Sequence, residues 1–79
     1  MTDRDLFTQA VRNTAAHLGI TIESEITLPN QGILVFNLAF GSKRATTAFA
    51  EKEIRLTNGV ERAVLILETL RKAREEAHG

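Results

Sequence analysis

Few side chains in this 79-residue chain could do chemistry, and their spacing decides what that chemistry would be. Glu23 and Glu25 stand two apart in "ITIESEITL". On a strand they would share one face about 7 Å apart, room for two cooperating carboxylates. The same alternation also describes the solvated face of a strand. Ser24 falls on the inner face of that strand and Ser42 in a turn, and no motif sets a histidine beside either hydroxyl to activate it. His17 comes near the end of a helix, where an imidazole complements the negative end of the dipole. His78 is in the tail. The absence of cysteine removes thiolate nucleophiles, disulfides and thiolate-held zinc. Neither G-x-x-x-x-G-K-S/T nor G-x-G-x-x-G occurs, and the acidic residues lack the spacing of a metal loop. We expect no enzyme, no cofactor and no metal.

Composition narrows the class further. Ten basic residues balance ten acidic ones, so no net field draws the chain to nucleic acid or to a membrane. The basic excess is mild and lies in residues 41–79, with eight basic against six acidic residues. The N-terminus "MTDRDLF" has no apolar run of the signal-peptide kind, and "AVLIL" is too short to span a bilayer. A cytoplasmic protein with one domain over residues 1–79 is expected.

The elements that must position these residues follow from periodicity. Thr2 or Asp3 can cap a helix over residues 3–18, with Leu6, Phe7, Ala10, Val11, Thr14 and Leu18 at helical spacing and Gly19 to end it. Ile20, Ile22, Ile26 and Leu28 alternate with polar residues, the pattern of a strand with one solvated face. A three-residue loop, Asn30-Gln31-Gly32, with Gly32 left-handed, would pair Leu28 with Leu34, Ile26 with Phe36 and Ile22 with Phe40. A register slipped by one would set Glu25 opposite Phe36, so the apolar pattern favours the bulged loop. After the turn "GSKR", a third strand over about 45–50 would pair Phe40 with Ala45, Leu38 with Thr47 and Phe36 with Phe49. The segment "EKEIRLT" reads either as an extension of that strand or as a turn. Asn58 with Glu61 reads as a capping box for a second helix. Its buried stripe is expected to be Val60, Ala63, Val64, Leu67 and Leu70, with Ile66 at the edge and Leu65 opposite. It should fray near "EEAHG".

The expected fold is α+β: a two-layer α-β-β-β-α domain, with a three-stranded antiparallel sheet (order 1-2-3) and both helices on one face. The middle strand, within "GILVFNLAFG", is apolar on both faces. Leu34, Phe36, Leu38 and Phe40 would meet the helices. Ile33, Val35, Asn37 and Ala39 would look out, with no third helix to cover them. Those four residues are the candidate partner-binding set, and Leu65 is a second candidate contact. A second copy stacked on the face as a C2 dimer, or another protein, would cover it.

The order α-β-β-β-α, over nearly the whole chain, resembles the double-stranded RNA-binding domain in topology and length. That resemblance implies a nucleic-acid-binding module, with phosphates gripped from the start of the second helix and from a first loop holding a histidine. Here those stretches are "NGVERAV", with Arg62 its one cation, and "PNQG". Lys43, Arg44, Lys52 and Arg55 are the basic residues such a module would use instead. Phosphate contacts carry most non-specific affinity, and the outer face has no aromatic for stacking. The reading adopted is therefore a small non-catalytic protein-binding module. An accessory regulator or inhibitor acting as a homodimer fits, such as a phage or mobile-element protein that blocks a larger host machine. The nucleic-acid module is its alternative.

Overall fold

The computed structural model describes residues 2–28, 30–56 and 58–78. Helix α1, Asp3–Leu18, begins at a capping box. The Thr2 hydroxyl accepts from the Asp5 amide, and the Asp5 carboxylate accepts from the Thr2 amide, each at 3.2 Å. The bond from the Thr2 backbone, then the one with its hydroxyl, hold the Asp5 carboxyl below its ordinary value. Gly19 ends the helix with φ 73°, its amide donating to the carbonyls of Ala15 and Ala16.

Three antiparallel strands follow in the order 1-2-3: β1 Thr21–Leu28, β2 Ile33–Phe40 and β3 Lys43–Ala50. The ambiguous segment after them forms neither more strand nor a plain turn. Residues Glu51–Ile54 make one turn of helix, α2, and drop Ile54 into the core. The Glu53 carboxylate accepts from the Ala50 amide at 2.9 Å, and Arg55 pairs with Glu51 at 2.7 Å. Thr57, the last residue of the segment, lies outside the described residues. Helix α3, Gly59–His78, is capped by Asn58, whose side-chain oxygen accepts from the amides of Val60 and Glu61 at 2.9 and 3.1 Å. It runs through the expected fraying zone, where the His78 ring lies 6.1 Å from that of Phe40.

One core joins these elements. It takes Phe7, Val11 and Ala15 from α1, all four even-numbered residues 34–40 of β2, Phe49 of β3, Ile54 of α2 and Ile66, Leu70 and Ala73 of α3. Phe49 is its hub: Phe7 meets it edge-on at 4.9 Å and Phe36 at 5.9 Å. Both long helices thus lie on the even-numbered face of β2, as expected.

The pairing differs from expectation in both hairpins. Between β2 and β3 the loop is Gly41-Ser42, with Gly41 at φ 66° in the first position of a type II′ pattern. Phe40 therefore faces Lys43, Leu38 faces Ala45, Phe36 faces Thr47 and Leu34 faces Phe49. This moves each pair by two residues and changes no face, and Phe36 touches Phe49 as a diagonal neighbour.

Between β1 and β2 the change is larger. Leu28 faces Ile33, so four residues connect the strands; the Gln31 amide donates to the Leu28 carbonyl at 3.0 Å. Gly32 is left-handed as expected, at φ 63°, but Ile26 now faces Val35 and Glu25 faces Phe36. A bulge between Ile22 and Ser24 then restores Ile22 to the helix side, opposite Leu38. Ile26 and Leu28 turn outward and stay 45% and 38% exposed. The slipped register is tolerable because β1 is an edge strand. On its helix side, Glu25 meets Arg12 of α1 instead of the core. Its hydrogen bond, and then its charge, raise the Arg12 guanidinium above its ordinary value.

Helix α3 is also rotated from expectation. Ile66, Leu70 and Ala73 are buried, and Leu65 and Ala77 pack partly against the core. Val60 and Val64 are 74% and 47% exposed. The run "AVLIL" covers more than a full turn, so it marks no face by itself. The downstream residues Leu70, Ala73 and Ala77 choose the seam.

The two hairpin glycines give a test of this packing. Gly41→Ala should cost about 1 kcal/mol from its left-handed backbone alone, since no atom of the described residues lies within 4 Å of the new methyl. Gly32→Ala should cost roughly 2–3 kcal/mol, since its methyl would stand 2.8 Å from Glu51 Oε2 and 3.0 Å from Glu51 Cβ. Denaturant unfolding of both variants measures the difference; equal losses would mean that Gly32 does not abut α2.

Candidate protein-binding face

The face of the sheet turned away from the helices is built in four rows across β1, β2 and β3. Leu28, Ile33 and Ala50 form the first row, and Ile26, Val35 and Ala48 the second. Ser24, Asn37 and Thr46 form the third, joined by hydrogen bonds. Asn37 Nδ2 donates to Ser24 Oγ at 2.7 Å, and Thr46 Oγ1 donates to Asn37 Oδ1 at 2.9 Å. Thr21, Ala39 and Arg44 form the fourth, where Arg44 meets the bulged Glu23 at 3.0 Å. Half of the face is thus continuous and apolar, and the other half is polar, its Asn37, Thr46 and Arg44 side chains bonded within the sheet.

Ile33, Val35, Asn37 and Ala39 lie together here, each half-buried by its row neighbours. The sequence reading missed Ile26, Leu28 and their full rows. The available signal was the loop "PNQG". Four residues between apolar ones suit a four-residue type I connection as well as a three-residue one, and that choice alone flips β1.

The other candidates separate. Leu65 is half-buried against the core and belongs to α3's inner side, which corrects its expected exposed position. Lys43 and Arg44 begin β3, while Lys52 and Arg55 follow its end, eight strand residues or roughly 25 Å away. They form no single patch, and two of the four are already engaged, Arg44 with Glu23 and Arg55 with Glu51. The bulge parts the expected carboxylate pair. Glu25 reaches Arg12 on the helix side, and Glu23 reaches Arg44 on the open side. Ser24, expected inside, lies on the open face and bonds to Asn37. His17 sits exposed beside a shallow cleft lined by Asn13, Thr14, Ala63 and Leu67.

Among the described residues, no three His, Cys, Asp or Glu side chains gather as a metal site would require. No helix among them is long and apolar enough to cross a membrane. Comparison with family models, curated proteins and solved structures found no match to this chain.

The assignment of α3's two sides is checked by a pair of neighbouring truncations. Leu65→Ala should destabilise the fold by about 2 kcal/mol through lost core contact. Val64→Ala should change stability by less than about 0.5 kcal/mol. Reversed magnitudes in denaturant unfolding would return Val64 to the core and Leu65 to solvent.

Proposed function

We propose that this chain is a small non-catalytic protein-binding module, an accessory regulator or inhibitor that acts through the open face of its sheet. The observation that carries this reading is the pair of apolar rows, Leu28–Ile33–Ala50 and Ile26–Val35–Ala48, on a sheet whose other face holds the whole core. An apolar surface of this kind, rimmed by polar residues, is how a protein contact site differs from a scattering of exposed leucines. Its charges are matched within the chain, so the surface it fits is apolar and near neutral. The nucleic-acid alternative gains nothing from this geometry. Gripping phosphates needs clustered free cations, whereas Lys43 and Arg44 stand a strand's length from Lys52 and Arg55.

An apolar dye, anilinonaphthalene sulfonate, probes the face in solution dilute enough to keep the chain monomeric. Val35→Glu should lower the bound-dye fluorescence several-fold while leaving far-UV circular dichroism and the unfolding midpoint nearly unchanged. Val60→Glu, on the exposed side of α3, should leave dye binding as it is. If Val60→Glu abolishes dye binding and Val35→Glu does not, the sticky surface lies on the helical layer and the reading fails.

A further inference from the structure

The open face is lopsided across β2. On the β1 side it carries the large residues Leu28 and Ile26; on the β3 side of the same rows it carries Ala50 and Ala48. Charge is divided the same way, Glu23 on the β1 side and Arg44 on the β3 side. Resting on the protein-binding reading, we propose that the face is covered by a second copy of this chain, packed sheet to sheet about a two-fold axis parallel to β2.

That axis keeps each row over its own counterpart and exchanges the two edges, so β1 of one copy lies over β3 of the other. Leu28 then stands over the partner copy's alanine in the first row and Ile26 over its alanine in the second. Large side chains meet small ones, as interdigitated layers require. Val35 meets its own copy at the axis. Glu23 comes over the copy's arginine at the polar end, so four charges of alternating sign close the rim. A two-fold axis perpendicular to the strands would instead set β1 over β1 and β3 over β3. With that axis on the second row, Ile26 would abut its own copy, a gap would open over the alanines, and Leu28 would lie over the copy's serine of the polar third row.

The edges of the sheet offer no easier route. β1 is bulged and carries Glu23 and Glu25, and β3 opens with Lys43 and Arg44, features that blunt strand-to-strand addition. The chain has no net charge, so two copies do not repel. Three strands of eight residues give a face about 26 Å by 14 Å. Covering it in both copies removes on the order of 1,000 Å² from water, where specific interfaces begin, so the dimer should dissociate on dilution.

Sedimentation equilibrium across a concentration series tests the proposal with Glu23→Arg and Arg44→Glu, both at exposed positions that leave the core intact. Each variant alone should raise the dimer dissociation constant about tenfold or more, because like charges then face each other. Mixing the two should restore wild-type affinity to within about threefold, since every new charge meets its opposite in the mixed dimer. The chain has no cysteine, so Ile26→Cys and Ala48→Cys report the axis. A short bismaleimide should link the two variants to each other faster than it links Ile26→Cys to itself. A chain that stays monomeric at every concentration while Val35→Glu still abolishes dye binding overturns the self-pairing and leaves the protein-binding reading standing. A dimer untouched by Val35→Glu and by both charge reversals overturns both. Preferential linking of Ile26→Cys to itself overturns the axis.

Discussion

Ile22 and Ile26 lie on opposite faces of β1, and the one extra residue between them makes this possible. Without the bulge, residues of even number would keep to one side along the whole strand. Either Ile26 and Leu28 would enter the helix layer, or Ile22 would leave it. The bulge lets the end of β1 next to the helix terminus obey the core, while the end next to the Gly32 loop faces away. From that break follow the two apolar rows of the open face, the ion pair of Glu25 with Arg12, and the separate pairing of Glu23 with Arg44.

The same break bears on stability. A chain of 79 residues buries a modest share of its surface, and this one has no disulfide to help. Its interior is organised by three phenylalanines in edge-to-face contact and by the apolar seam of α3. That interior does not use Ile26, Leu28, Ile33 or Val35. Side chains of this size that stay partly exposed keep a fraction of the about 1.5–3 kcal/mol of full burial available to an association. Folding and the proposed self-association therefore draw on different faces of one strand, β2, and a change on the open face would alter that assembly without disturbing the core.

Much of this was legible from residue patterns. Helix α1 has its expected bounds because a capping box and a left-handed glycine mark both ends independently. The two faces of β2 were assigned correctly because strict alternation with phenylalanine and leucine on one side leaves little choice. The left-handed Gly32 was foreseen, but the length of its loop was not. Three- and four-residue connections both accept glycine there, and the periodicity of β1 put Glu25 and Thr27 on the outer face. In fact they sit on the helix side, at the margin of the sheet. The face of α3 was misread because five consecutive apolar residues cover every direction around a helix. The basic set was misread because residues near in sequence are placed at opposite ends of β3. Each miss comes from a choice made by tertiary packing among locally equivalent options.

Cross-strand proton contacts measured by NMR test the bulged register most directly. The bulged register requires backbone contacts of Ile26 with Val35 and of Ser24 with Asn37, and Ile26 methyl groups with no contact to the rings of Phe7 or Phe49. Backbone contacts of Ile26 with Phe36 and of Leu28 with Leu34, with Ile26 methyls against those rings, would contradict it and put Glu25 and Thr27 on the open face in place of Ile26 and Leu28.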